Sequence, residues 1–311
     1  MNAPSPLFEK LVIVGVGLIG GSVAMAARRA GLAGRIVGVG RNGENMAEAL
    51  QLGVIDAAEP LELAVRDADC VLLAIPVGRM PEVMAAMAPH LNPGALVTDA
   101  GSTKGDVVSA AHASLGRHLA RFVPGHPIAG AEKSGVSAAR VDLFNQKNVV
   151  LTPLPQNNPA AIRRIEALWQ SCGARVSSMP HGLHDRIFAA VSHLPHVLAF
   201  ALVEEIAQRD NAGQLFSFAA GGFRDFSRIA GSSPEMWRDI CLANRDAMLQ
   251  ELDAYARQLA TIRGLIADND GEGLAALFEH ARTARTAWAE AHQAGSADAA
   301  PGTVRGEGTA A

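Results

Sequence analysis

Four short stretches carry residue types that ordinary loops or cores do not need. "GHPIAGAEKSG" (125–135) sets His126 and Glu132 among glycines, alanines and a proline. A neutral imidazole there can take a proton near neutral pH, or it can simply bond backbone in its own turn. "DAGSTKGD" (99–106) carries Ser102, whose hydroxyl either grips a substrate group beside His126 or caps the next helix. "SHLPH" (192–196) places Ser192, His193 and His196 inside an apolar run, where burial without partners is costly. "GGFRDFSRIAG" (221–231) sets Arg224 and Arg228 one helical turn apart between glycines. The planar arginine fork suits a carboxylate, and a plain surface helix is the other reading. His181-x-x-His184 and His193-x-x-His196 have helical metal-pair spacing, but no cluster of carboxylate or cysteine ligands accompanies them. No metal is expected.

These residues need elements to hold them. Between residues 10 and 180, apolar runs at 10–15, 35–40, 69–76, 95–101, 121–125, 148–153 and 174–179 alternate with helix-length segments. Continuous apolar runs are what strands buried on both faces require. Their alternation with helices predicts an α/β, Rossmann-type, doubly wound parallel sheet. Gly15, Gly17 and Gly20 form G-x-G-x-x-G directly after the first strand, so the backbone around Leu18 and Ile19 is expected to hold a dinucleotide pyrophosphate. Ile75 and Pro76, at the end of "LAIPV" (73–77), are placed to pack beside that cofactor. At the end of the second strand, "GVGRNGEN" (38–45) offers Arg41 where NAD-binding proteins have an acid. An arginine there can accept a 2′-phosphate, so NADP is favoured over NAD, with Asn42 and Asn45 as nearby neutral donors; a solvated arginine is the alternative.

From about residue 181 the strands stop. The stretch 187–203 has 13 apolar residues in 17, so it needs partners all round, with a second subunit as one source. Pro195 should kink it. Residues 233–267 and 271–292 read as long amphipathic helices, and 293–311 as a disordered tail. The expected domains are therefore a dinucleotide-binding domain (1–180), a helical substrate and dimerisation domain (181–292) and the tail (293–311).

Composition excludes several classes. The chain has 27 Lys+Arg against 31 Asp+Glu and no basic stripe, so nucleic acid is not an expected partner. Cys70, Cys172 and Cys241 are widely separated, which suits a reducing cytoplasm. The uncharged segment 11–27 resembles a signal-peptide core, but its four glycines and the preceding Glu9-Lys10 argue against export. No membrane partner is expected.

Taken together, the glycine fingerprint, "GHPIAGAEKSG", "HDRIFAAVSHLPH" (184–196) and "GGFRDFSRIAGSSPEMW" (221–237) resemble the prephenate/arogenate dehydrogenase family of tyrosine biosynthesis, over about residues 10–290. The resemblance implies a nucleotide-binding domain followed by an all-helical domain that forms a homodimer. It implies oxidative decarboxylation of a small cyclohexadiene substrate with hydride transfer to NAD(P). It makes His126 the catalytic histidine, with Ser102 its partner on the substrate hydroxyl. Ser192 and His196 would line the substrate pocket, and Arg228 would bind the ring carboxylate. Glu132 and Asp185 are expected to pair with Arg224 or Arg228 and aim the guanidinium, unless Glu132 is only a solvated loop acid.

Two other classes compete. A β-hydroxyacid or imine reductase shares the architecture but places a lysine base in its helical domain, and residues 148–311 contain no lysine. A non-catalytic dinucleotide sensor has no use for Ser102, His126, His196 and Arg228 together.

Overall fold

The computed structural model describes residues 5–131 and 133–297. Strands β1 (Phe8–Val14), β2 (Ala33–Val39), β3 (Ala57–Ala58), β4 (Cys70–Leu73), β5 (Leu96–Asp99) and β6 (Phe122–Val123) form a parallel sheet in the order β3-β2-β1-β4-β5-β6. Both faces are covered, which is why the strands read as unbroken apolar runs. Leu11 and Ile13 point into one core with Leu72 and Trp169, while Val12 and Val14 point into the other with Leu73 and Phe122. The sheet reverses its order between β1 and β4, the place where open α/β sheets bind ligands.

Backbone sterics shape the turn after β1. Gly15 has φ +93°, and a side chain there would run into the Ala74 carbonyl. A Cβ on Gly20 would collide with the Gly15 carbonyl, so the helix Leu18–Arg29 lies directly on β1. Gly17 faces open space.

The expectation of a single parallel sheet is corrected downstream. The run 121–125 breaks at Pro124, which has no N–H to donate to a ladder. The chain leaves the main sheet there, and β7 (Gly125–Pro127) pairs antiparallel with β8 (Asn148–Leu151), setting His126 opposite Val150. β9 (Arg175–Ser178) completes this second sheet, parallel to β8.

The strands end at Ser178, and the helices that follow pack in the same compact unit as far as Glu251. The helix His181–Phe188 passes through a π-helical turn, Ala189–His193, into the helix Leu194–Ala207. Pro195 lacks an N–H and its ring crowds the carbonyl four residues back, so the ladder widens just before it. By length and composition His181–Ala207 is apolar enough to cross a membrane, with a mean hydropathy of 1.6 in its most apolar stretch. Ser192, His193 and His196 interrupt it.

The expected continuous helix over 233–267 is divided into Pro234–Ala243 and Arg245–Ala267. Asn244 makes the break, and its side chain donates to the Asp185 carbonyl at 2.8 Å and faces His193 Nδ1 at 3.2 Å. A second compact unit begins at Leu252 and contains the helix Gly271–Ala297. That helix runs beyond residue 292 into the segment expected to be disordered; 298–311 lie outside the described residues.

The glycine geometry makes a stability prediction. Gly20→Ala overpacks the β1–helix contact and should cost about 1–3 kcal/mol. Gly17→Ala should stay within about 0.5 kcal/mol of wild type. Thermal melts of the two variants check this, and equal destabilisation would contradict it.

Candidate active site

The site begins at the carboxyl ends of β5 and β6. Asp99 closes β5 and accepts hydrogen bonds from the backbone N–H of Gly101 (2.8 Å) and of Gly125 (3.1 Å). Lys104, fully buried, forms an ion pair with Asp99 and donates to the Gly125 carbonyl at 2.8 Å. These bonds clamp the 99–105 loop onto the first residue of β7 and so fix the next residue, His126.

His126 is buried against Phe188, with ring centroids 4.8 Å apart. Its Nδ1 lies 2.9 Å from His184 Nε2, and His184 Nδ1 lies 2.8 Å from Asp185 Oδ1. The same carboxylate receives the backbone N–H groups of Lys104 (2.8 Å) and Gly105 (2.7 Å), at the start of the helix Gly105–Ser114. Asp185 thus caps that helix, a position that favours negative charge. The expected pairing of Asp185 with Arg224 or Arg228 is incorrect: its carboxylate is spent on His184 and on this helix end. Ser102 does not cap the helix either, and no described hydrogen bond joins it to His126.

Electrostatics keep the imidazoles neutral. Burial, reinforced by His184, Lys104 and His193, holds His126 well below the ordinary histidine value. Burial also lowers His184, outweighing its bond to Asp185. For Asp185, burial pushes the carboxyl up, but hydrogen bonds from His184, Gly105 and Lys104 prevail and hold it below the usual carboxylate value. His193 is lowered to about 4, chiefly by burial.

His193, which faces Asn244 at 3.2 Å and lies edge-on to Trp237, feels Asp185, His184 and His196 electrostatically. His196 stacks on Trp237 at 3.8 Å between centroids, and its Nδ1 donates to the Ser192 carbonyl at 2.8 Å. Burial lowers His196 as well, and the nearby Arg228 guanidinium lowers it further. His196, on the helix after the π turn, therefore feels Arg228 of the 3₁₀ turn Arg228–Gly231 that follows the helix Gly221–Ser227, while Ser192 lies within the π turn itself. Arg224 is exposed on that helix, and Glu132 lies outside the described residues. Among the described residues no group of three or more His, Cys, Asp or Glu is placed to hold a metal ion.

On the same edge of the sheet, at the carboxyl end of β1, the helix Leu18–Arg29 begins without a side-chain cap and with no acid in its first turn. Its N–H groups at Leu18 and Ile19 face a turn whose middle glycine, Gly17, is open. That arrangement fits a pyrophosphate. The Ile75 side chain lies against Gly15, and Pro76 is exposed beside it. Arg41 is exposed after β2. Asn42 and Asn45, expected beside it as neutral donors, also serve the local fold. Asn42 caps the helix Gly43–Gln51, and Asn45 bridges the Val16 carbonyl (2.7 Å) and the Val136 N–H (3.0 Å).

Sequence reasoning missed Asp99, Lys104 and His184. A Lys between Ser102 and a helix start offers no local sign of burial. His184 was visible only as half of a metal-like pair, although the adjacent Asp185 was the available clue.

Residues 23–178 match the model for the prephenate dehydrogenase nucleotide-binding domain, and residues 180–280 match that for the prephenate dehydrogenase dimerization domain. A prephenate dehydrogenase of Bacillus subtilis is 38% identical over 89% of this chain and 75% of its own length. A cyclohexadienyl dehydrogenase of Zymomonas mobilis is 37% identical over 90% of this chain and 96% of its own length. The structure of A. aeolicus prephenate dehydrogenase with hydroxyphenyl propionate and NAD+ superposes with a TM-score of 0.84 at 37% identity, covering 89% of this chain and 97% of that one. Mycobacterium tuberculosis 3-hydroxyisobutyrate dehydrogenase, at 12% identity and a TM-score of 0.55 over 81% of this chain and 94% of that one, shares the fold alone. The chain belongs to the prephenate dehydrogenase family.

Proposed function

We propose that this dehydrogenase oxidatively decarboxylates prephenate or arogenate, with His126 as the base. The observation that carries this reading is the buried, neutral His126 at the carboxyl end of the strands, with His193 as its electrostatic neighbour and His196 and Arg228 beyond it. The substrate class is a cyclohexadiene with a 4-hydroxyl and a ring carboxylate. The nicotinamide dinucleotide, when bound, supplies the hydride acceptor. His126 takes the hydroxyl proton as the C4 carbonyl develops. Arg228 holds the carboxylate until CO2 leaves, beside Ser192 and His196, and aromatisation of the ring drives the reaction. Ser102 meets the substrate hydroxyl from the β5 side.

We further infer a division of labour near residue 180, with cofactor binding before it and the carboxylate clamp after it. The helix Leu194–Ala207 leaves an apolar groove lined by Val197, Phe200 and Ala201, which supports a homodimer through the helical segment. The free cysteines Cys70, Cys172 and Cys241 suit a reducing, cytoplasmic setting.

The base is tested with prephenate and either cofactor, following the reduced nicotinamide. Protonating His126 removes the base, so kcat should rise with pH through one ionisation below the ordinary histidine value, and fall as pH drops through it. His126→Asn should lower kcat by about 10²–10⁴-fold with little change in cofactor affinity. Near-normal turnover would remove His126 from the mechanism.

Cofactor choice follows from Arg41. A bidentate arginine–phosphate contact contributes about 1.5–3 kcal/mol, which corresponds to roughly tenfold to hundredfold in favour of NADP. Arg41→Asp should weaken NADP and improve NAD relative to it. The readout is kcat/KM for both cofactors in wild type and variant. A wild-type preference for NAD would leave Arg41 as a solvated loop residue.

A further inference from the structure

The line of hydrogen bonds behind His126 does more than fill space. Asp185 accepts from two backbone N–H groups at a helix start, so it stays a carboxylate and can only accept. His184 Nδ1, 2.8 Å away, must therefore be the donor of that pair. A neutral His184 then has its lone pair on Nε2, and His126 Nδ1, at 2.9 Å, must donate to it. That leaves the lone pair of His126 on Nε2, the nitrogen directed away from the relay. We propose that His184 and Asp185 are positioning residues that fix His126 in the Nδ1–H form and so present Nε2 as the base.

The proposal rests on His126 being the base. The proton from the substrate hydroxyl goes to His126 Nε2; no other bond in the relay need break. The resulting imidazolium keeps its Nδ1–H on His184 Nε2, whose electron density is raised by the Asp185 carboxylate. The other charged or titratable groups facing the relay are Lys104 and Asp99 from the β5 loop, Asp106 from the first turn of the following helix, and His193 from the π turn. Phe188 packs on both imidazoles, with centroids 4.8 Å from His126 and 4.4 Å from His184. The helix cap explains why Asp185 itself is held: its two N–H partners lock the carboxylate in place, whatever His184 does.

The test compares Asp185→Asn with His126→Asn in the full-length enzyme loaded with dinucleotide and prephenate. Oδ1 of Asp185 accepts from both Lys104 N–H and His184, and Oδ2 accepts from Gly105 N–H, so an amide at 185 sets its NH2 against a helix N–H in either orientation and removes the charge that holds His184 Nδ1–H. Without that anchor His184 no longer holds its Nε2 lone pair on His126, and His126 is free to take its proton on Nε2. Asp185→Asn should lose about 10²–10⁴-fold in kcat. Its residual rate should no longer show the acid limb, while KM and cofactor affinity stay within about threefold of wild type. His184→Leu should behave alike, and His184→Gln, which keeps a donor for Asp185 and an acceptor for His126, should recover at least tenfold of that loss. If Asp185→Asn keeps wild-type kcat and the acid limb while His126→Asn is inactive, the relay proposal fails and the base assignment stands. If His126→Asn keeps its turnover, the base assignment itself fails. Should Asp185→Asn not fold, the Leu and Gln variants at 184 decide alone, and equal activity in the two would overturn the proposal.

Discussion

The buried ion pair of Lys104 with Asp99 is the constraint on which the site depends. Two charges with no solvent exposure persist only when their remaining hydrogen-bonding capacity is met. Here the carboxylate takes N–H groups of Gly101 and Gly125, and the ammonium takes the Gly125 carbonyl. Removing either partner would strand a buried charge at a cost of about 3–5 kcal/mol. The gain is geometric: one pair ties the end of β5, the start of the Gly105–Ser114 helix and the first residue of β7 into a single rigid corner. Ser102 rides on that corner, His126 follows it, and the helix start, which has no side-chain cap of its own, receives Asp185.

A second consequence concerns charge. The corner brings Lys104 close to His126, and the apolar helix beyond residue 181 brings burial and Phe188. Both disfavour an imidazolium, and His184, His193 and His196 are lowered too. A cluster of neutral imidazoles can sit beside Arg228 without mutual repulsion. The π turn before Pro195 makes this possible, because widening one turn re-aims Ser192 and His193 relative to His196. A regular helix through the same residues would point them differently.

Much of this was legible in the chain itself. The strands of the main sheet and the glycine turn follow local rules, namely apolar runs, a helix start and a turn needing positive φ. The motifs also mark His126, His196 and Arg228 as candidates from the sequence alone. The second sheet was not legible, since strand direction depends on how the chain leaves Pro124, which periodicity does not record. Nor was the role of Asp185. Its partner could have been any cation, and only the fold shows a helix start and a histidine claiming it. Lys104 lay in plain view between Ser102 and Gly105, yet a lysine carries no local sign that a carboxylate awaits it in the core.

The central claim, that a carboxylate-anchored relay dictates which nitrogen of His126 is free, is tested most directly by ¹⁵N NMR of the histidine side chains. The wild-type protein is labelled at both imidazole nitrogens, and the signals are assigned by their loss in His126→Asn and His184→Gln. At neutral pH both His126 and His184 should show a protonated Nδ1 and an unprotonated Nε2. A His126 carrying its proton on Nε2, or an imidazolium at that pH, would contradict it.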